Sequence, residues 1–153
     1  MAISGLTTFL WFDTQALDAA EFYTGLFPDS ELGSISHYPD DHPHKPASSV
    51  LAVEFNLFGQ QFTAINGGPQ FPHSEAVSFM VQCETQEEID LIWNSLVANG
   101  GSESQCGWCK DRFGVSWQVV PSNIQELLAR GAWPALMPMK KIEVGILEAA
   151  VSV

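Results

Sequence analysis

SQCGWCKDRFGVSWQVVP, residues 104–121, predicts more of the architecture than any other part of this chain. The segment opens with a Cys-x-x-Cys pair, Cys106 and Cys109, and runs into Asp-Arg-Phe-Gly, a composition typical of a tight turn. The β-branched and aromatic residues 116–120 that follow predict a strand. We therefore expect the two cysteines to lie at a junction between strands.

The Cys-x-x-Cys spacing suggests a redox or a zinc site, and the surrounding residues argue against both. In thioredoxin-type dithiols the first cysteine caps a helix whose N-terminal dipole lowers the pKa of the thiol. Here Cys109 leads into Lys110 and a turn, so no such helix is predicted. A zinc site would need a second pair of ligands at suitable spacing, which is absent. Two structural cysteines, one of them buried, are the favoured interpretation.

Upstream of this segment, residues 77–82 predict a strand, and Thr85 with Glu88 forms a Thr-x-x-Glu capping box. An amphipathic helix is predicted next, because apolar residues recur at helical spacing at Ile89, Ile92, Trp93, Leu96 and Val97. Short strands are predicted at residues 102–105, 108–111 and 116–120. Downstream, Ser122 is predicted to cap a short helix over residues 124–130, and no structure is assigned to the tail, residues 135–153.

The first half reads in the same way. Residues 7–12 predict a buried strand, and Asp13-Thr14 is expected to cap a helix. The buried face of that helix is predicted to carry Ala16, Ala19, Ala20, Tyr23 and Phe27. A strand at 31–38, a proline-rich loop at 39–46 and a hairpin of 48–57 with 60–66 complete this half.

The two halves are related to one another. Thr14-Gln15 and Thr85-Gln86 each follow an apolar strand and an acidic residue, and they lie 71 positions apart. Each half therefore reads β-α-β-β-β, so the chain is predicted to be an α+β protein built from a duplicated module. Each module would leave one apolar sheet face uncovered, and we expect the two faces to enclose a central cavity.

Charge and composition exclude several classes of partner. The formal net charge is −12 and the chain has only six Lys and Arg residues, so no nucleic acid partner and no anionic membrane partner is expected. The N-terminus lacks the basic region of a signal peptide, and no run of roughly 20 apolar residues is present. Three cysteines are a poor disulfide framework, which fits a cytoplasmic location.

Four segments, residues 7–31, 62–71, 104–121 and 139–150, resemble the PhnB-like branch of the vicinal oxygen chelate superfamily. This superfamily holds the glyoxalase and bleomycin-resistance proteins, and its PhnB-like branch often carries the label 3-demethylubiquinone-9 3-methyltransferase. The resemblance implies a single glyoxalase-like domain over residues 1–153. Module one would cover about 5–68, module two about 75–121 and a C-terminal extension 122–153. It also implies a homodimer. The apolar tail from Leu136 to Val153 is the candidate interface.

The resemblance also implies positions for a divalent metal. Metal-using relatives hold the ion from inward-facing strand positions, which correspond here to Leu6 or Thr7 and to Val77 or Ser78. None of these side chains is a good ligand, since divalent cations prefer carboxylate or imidazole donors. Gln118 stands where relatives have a metal-binding glutamate, and its neutral amide makes it a weak candidate. We therefore expect no strong metal centre.

A ligand cavity has four candidate residues: Asn66, Ser78, Trp108 and Gln118. Strand alternation puts Gln118 and Trp117 on opposite faces, so an inward-facing Gln118 sends Trp117 under a helix. Asn66 and Gln118 are then the polar groups expected inside the cavity. For acid–base chemistry, Glu54, Glu75, Asp111 or a histidine would have to approach it.

Three functions stay open at this point. The first is a small-molecule-binding protein, and the second is a metal-dependent lyase, dioxygenase or transferase of the same superfamily that uses Gln118. The third is the S-adenosylmethionine-dependent methyltransferase of the family label. Neither strand–helix junction has the glycine-rich turn that usually holds such a cofactor, so sequence motifs do not support the third.

Overall fold

The structure, a computed structural model, describes residues 1–152, so Val153, the last residue of the predicted extension, lies outside the described residues. The chain divides into two compact units, Met1–Pro72 and a second unit that begins at His73. Each unit is a helix packed on a four-stranded sheet.

The first unit contains β1 (Thr8–Phe12), α1 (Ala16–Leu26), β2 (Ser30–His37), β3 (Val50–Leu57) and β4 (Gln60–Asn66). Its sheet has the order β1-β4-β3-β2, with β1 parallel to β4 and the other pairs antiparallel. The predicted buried face of α1 is confirmed, because all five residues named for it are buried.

The start of α1 differs from the prediction. Gln15 is the N-cap residue and its side chain makes no capping hydrogen bond, so the cap expected from Asp13-Thr14 is wrong. Instead the backbone N–H of Ala16 donates to Oδ1 of Asn66, at 2.8 Å, from the end of β4. A residue distant in sequence therefore satisfies one of the free N–H groups at the start of this helix.

The second unit contains β5 (Ser78–Cys83), α2 (Gln86–Val97), β6 (Ser102–Glu103), β7 (Trp108–Lys110) and β8 (Ser116–Pro121). Its sheet has the order β5-β8-β7-β6, with β5 parallel to β8 and the other pairs antiparallel. This is the same arrangement as in the first unit. The predicted duplication of a β-α-β-β-β module and the α+β fold class are therefore confirmed.

The start of α2 follows the prediction. Thr85 is the N-cap residue, its hydroxyl accepts from the N–H of Glu88, and the Glu88 carboxylate accepts from the N–H of Thr85. Ile89, Ile92, Trp93 and Leu96 are buried.

The C-terminal extension folds onto the second unit as three short helices, α3 (Ile124–Ala129), α4 (Trp133–Leu136) and α5 (Val144–Val151). Ser122 does not cap α3 as predicted: Asn123 is the N-cap residue, and the Ser122 hydroxyl donates to Glu84. Leu136, Leu147 and Val151 are buried in one cluster with the apolar side of α3, so much of the apolar tail serves the core of its own unit.

Polar contacts anchor the extension to α2. The amide of Gln86 donates to the carbonyl oxygen of Ile142 and accepts from the N–H of Val144. Lys141 pairs with Asp90 at 2.7 Å, which lowers the pKa of that carboxyl and raises the pKa of Lys141.

Within residues 1–152, none of the helices has the length and apolar character needed to cross a membrane.

Candidate functional site

The second sheet has one face against α2 and an opposite face, here called the open face, whose Val120 end is covered by the C-terminal extension. Trp117 and Val119 of β8 are buried, and the Trp117 ring lies beside Phe79 of β5, at 5.5 Å between centroids. Side chains alternate along a strand, so Ser116 and Gln118 belong to the opposite, open face. The predicted placement of Trp117 on the helix side is confirmed.

Strand pairing extends this open face into two rows. Directly paired residues of neighbouring strands project from the same side of a sheet. The first row runs Ser102, Lys110, Ser116 and Ser78, and the second contains Trp108, Gln118 and Met80. The open face therefore carries hydroxyl groups, an ammonium group, an amide and an indole in two adjacent rows.

Three of the four predicted cavity residues lie together on this face. Nε2 of Gln118 donates to Oγ of Ser78 at 2.9 Å. Trp108 is the direct partner of Gln118 across the antiparallel pair of β7 and β8. All three side chains are partly exposed, so they are accessible from the open side.

The structure does not bring Asn66 to a comparable place. Asn66 belongs to the first unit and is buried, and its Oδ1 accepts from Ala16 while its Nδ2 donates to the carbonyl oxygen of Val50 at 3.1 Å. Both atoms of its amide are engaged within the fold. The side chain turns toward α1, because β4 ends beside the first turn of that helix.

A cavity of about 370 Å³ lies in the second unit. The residues around it are mainly those of the two rows and the loop before β5: Glu75, Ser102, Glu103, Ser104, Trp108, Cys109, Lys110 and Ser116. At its edge the carboxylate of Glu75 forms an ion pair with Nζ of Lys110. The hydrogen bond and charge of Lys110 lower the pKa of Glu75.

Sequence reasoning missed Lys110 and Ser116 as site residues. The signal was present, because Lys110 lies two residues from Trp108 and Ser116 two residues from Gln118, so alternation puts each pair on one face. Glu75 could not have been positioned in the same way, since it lies in a segment without strand or helix.

Three other acid–base candidates, Asp111, Glu54 and His42, make hydrogen bonds within the fold. Asp111 is buried in the turn between β7 and β8, where its carboxylate accepts from the N–H groups of Phe113 and Val115 and from Nε1 of Trp117. Glu54 accepts from the hydroxyl of Ser34 in the first unit. The imidazole of His42 accepts from the N–H of His44 in an exposed loop.

The cysteines form no dithiol site. Cys109 is buried, and desolvation followed by the charge of Asp111 raises its pKa to about 12. Burial likewise raises the pKa of Cys83 to about 11. Cys106 is half-buried in a turn before β7, with a φ of 57°, and not at a helix N-terminus. The predicted junction between strands is confirmed.

The donor set does not fit a divalent metal. Within residues 1–152, no group of three His, Cys, Asp or Glu side chains could hold an ion. At the positions implied by the resemblance, Ser78 and Gln118 supply only neutral oxygens, and Gln118 directs its amide N–H toward Ser78. Neutral donors without a carboxylate or imidazole hold such cations weakly.

Comparison with known proteins places this geometry in a family. Residues 4–120 match the family model described as 3-demethylubiquinone-9 3-methyltransferase. The match ends at the close of β8, so α3, α4 and α5 lie beyond it. No curated protein matches the chain.

Solved structures agree with the family match. The chain is similar to a putative 3-demethylubiquinone-9 3-methyltransferase, PhnB protein, from Bacillus cereus, at 37% identity and a TM-score of 0.68, over 76% of this chain and 99% of that one. Protein PA1353 from Pseudomonas aeruginosa shares the fold at 20% identity and a TM-score of 0.61, over 78% and 98% of the two chains.

A third similar structure is the E126Q mutant of the fosfomycin resistance protein FosX from Listeria monocytogenes, complexed with Mn(II) and 1S,2S-dihydroxypropylphosphonic acid. It matches at 17% identity and a TM-score of 0.54, over 83% of this chain and 99% of that one. This likeness concerns the fold. With two β-α-β-β-β modules, a family match over most of its length and a relative at 37% identity, the chain belongs to the 3-demethylubiquinone-9 3-methyltransferase family, in the PhnB-like branch of the vicinal oxygen chelate superfamily.

Proposed function

We propose that this protein binds a small organic molecule on the open face of its second sheet, without a strong metal centre. One observation carries the proposal: Trp108, Ser116 and Lys110 line a cavity of about 370 Å³, next to the hydrogen-bonded pair of Ser78 and Gln118. Ligand sites typically combine an aromatic or apolar surface with a few convergent polar groups in a cavity of several hundred Å³.

Each group has a specific part in this proposal. The indole of Trp108 offers a flat apolar surface with a polar N–H. Oε1 of Gln118 and the hydroxyls of Ser78 and Ser102 offer hydrogen bonds to a ligand. None of these groups titrates near neutral pH, so we assign them binding and orientation and no transfer of a proton.

Native mass spectrometry tests the proposal. The wild-type protein is incubated with a small-molecule extract of cells, and its mass is compared with that of Trp108→Ala and Gln118→Ala. We expect an organic adduct on the wild type that both variants lose. Gln61→Ala is the matched control, because Gln61 is exposed on β4 of the first unit.

Three results would contradict the proposal or favour one of its alternatives. An adduct that survives both Trp108→Ala and Gln118→Ala would mean that the ligand binds elsewhere. A divalent ion retained at one per chain, and lost in Gln118→Ala, would favour the metal-dependent lyase, dioxygenase or transferase. Calorimetric binding of S-adenosylmethionine would favour the methyltransferase.

The same measurement addresses assembly. We propose a cytoplasmic homodimer, by analogy with the superfamily, so the native mass should be twice that of the chain. A monomeric mass would remove the homodimer and leave the ligand proposal intact. The central cavity expected from the duplicated modules stays a prediction.

A further inference from the structure

Among residues 1–152, the hydroxyl of Ser116 is a buried polar group that has no hydrogen-bond partner. Ser116 is 1% exposed and lines the cavity of the second unit, and its Oγ has no hydrogen-bond partner among the described residues. Leaving a buried hydroxyl unsatisfied destabilises a fold, so each such group calls for an explanation. Its position in the cavity wall suggests a ligand atom as the missing partner.

The neighbour of Ser116 is a lysine whose partner comes from outside the sheet. Lys110 is directly opposite Ser116 in the pair of β7 and β8, and Ser102 is directly opposite Lys110 on the other side. The ammonium group of Lys110 is paired with the carboxylate of Glu75, which lies in the loop before β5. The carboxylate of Glu75 is therefore the ion-pair partner of Lys110, the lysine that lies beside the hydroxyl of Ser116.

The ion pair is easily opened. The Glu75 side chain is 61% exposed and that of Lys110 is 35% exposed, and ion pairs at such exposure contribute little to stability. A competing anion inside the cavity would find Lys110 less hydrated than a surface lysine. Exchange of one carboxylate for another would also leave the charge balance of the cavity unchanged.

The other charges limit the ligand to a single negative charge. Among the described residues that line the cavity, Lys110 is the one basic side chain. Glu103, the second acidic residue of the lining, already accepts from Nε1 of Trp93 and lies 4.0 Å from Lys140. A formal net charge of −12 further disfavours a polyanion.

We propose that the cavity is a carboxylate subsite, in which a small organic acid replaces Glu75 on Lys110 and accepts a hydrogen bond from Ser116. The apolar part of the acid lies against Trp108. This inference rests on the proposed function and names the class of its ligand. Glu75 acts as an internal competitor that occupies the subsite when no acid is bound.

Benzoate is a suitable probe and benzamide its neutral counterpart, with binding followed by nuclear magnetic resonance of the Trp108 indole N–H. We expect benzoate to shift this signal in the wild type and benzamide to bind far more weakly. Glu75→Gln should tighten benzoate binding about fivefold, because benzoate no longer has to displace the Glu75 carboxylate from Lys110. Lys110→Met should weaken it about tenfold, since a charge-assisted hydrogen bond is lost.

Two further variants test whether weaker benzoate binding could result from a loss of stability or from the loss of any positive charge. Ser116→Ala should stabilise the protein, because it removes an unpartnered buried hydroxyl, and should still weaken benzoate binding. Lys45→Met, in a loop of the first unit where the ammonium group lies 5.4 Å from the ring centroid of Tyr38, is the charge-matched control and should bind benzoate like the wild type.

The inference is overturned if Glu75→Gln leaves benzoate affinity unchanged or lower, if Lys110→Met binds like the wild type, or if benzoate does not bind. Its failure is distinguishable from failure of the proposed function. Equal binding of benzoate and benzamide, abolished for both by Trp108→Ala, would keep the ligand site and remove the carboxylate subsite. An adduct from cell extract that persists in both Trp108→Ala and Gln118→Ala would contradict the proposed function itself.

Discussion

The helices of the two units begin in different ways although they occupy the same place in the same topology. In α2 the N-terminus is satisfied locally, by Thr85 and Glu88 within one turn. In α1 it is satisfied by Asn66, which lies 50 positions away from Ala16 at the end of β4. One helix start therefore depends on a short motif, and the other exists only once the sheet has formed.

The open faces of the two sheets also differ. On the first sheet, Phe9 and Trp11 of β1 pair with Thr63 and Ile65 of β4, and Thr63 pairs in turn with Glu54 of β3, so two aromatic rings share this face with a carboxylate. On the second sheet, the corresponding pairing of β5 and β8 brings Ser78 to Ser116 and Met80 to Gln118. The helix-facing sides are apolar in both units. The two units therefore share an apolar side that packs on the helix and differ in the residues of the other side.

The largest effect is expected from the helix-facing cores, which should respond alike. Tyr23 and Trp93 are fully buried under their sheets. Tyr23→Ala and Trp93→Ala should each lower the free energy of unfolding by about 3–5 kcal/mol, because a large cavity replaces each ring. Chemical denaturation measures this, with the exposed Trp133→Ala as the control. A loss well under 1 kcal/mol in either unit, as is typical of surface sites, would break the equivalence of the two cores.

The next effect separates the two helix starts. Asn66→Ala removes the partner of Ala16 and the donor to Val50, so it should cost about 2 kcal/mol of unfolding free energy. Asn94→Ala, an exposed position on α2, is the matched control and should cost almost nothing. If Asn66→Ala were equally harmless, α1 would not need its distant cap.

A smaller effect is expected at the local cap. Thr85→Ala removes the hydroxyl that accepts from Glu88, which should cost about 1 kcal/mol. Thr85→Ser keeps the hydroxyl and should retain most of the stability. Thermal unfolding of both variants decides the point. A larger loss for Thr85→Ala than for Asn66→Ala would reverse the comparison.

The smallest effect is expected from thiol labelling, which measures how well the helix-facing side of the second sheet excludes solvent. Thiolate is the reactive form, and the pKa values of about 11 for Cys83 and about 12 for Cys109 keep both thiols protonated near neutral pH. At about pH 8, iodoacetamide should label native protein at Cys106 alone, because Cys106 is half-buried whereas Cys83 and Cys109 are buried. Peptide mass mapping identifies the labelled residue, with unfolded protein as the control. Rapid labelling of Cys109 would mean that this side opens to solvent.

The fold could be predicted to a large extent because its signals are local. Apolar spacing at 3.6 residues identified α2, and alternation identified β8 and the opposite placement of Trp117 and Gln118. The site could be predicted in part: Ser78, Trp108 and Gln118 share one face, as strand alternation allows. Alternation in β4 puts Asn66 on the same face as the buried Phe62 and Ala64, so its helix-facing side could have been predicted. Its hydrogen bond to Ala16 could not, because that contact joins two segments distant in sequence.

Local residue patterns predict the duplicated β-α-β-β-β order, the capping box of α2 and the strand junction at Cys106 and Cys109. These features follow from backbone preferences and hydrogen bonds between residues close in the chain. Three other features are visible only in the folded chain: the cap of α1 by Asn66, the pairing of Glu75 with Lys110 and the burial of the C-terminal helices. Each of these joins segments distant in sequence, so its free energy depends on strand register and chain closure rather than on local composition.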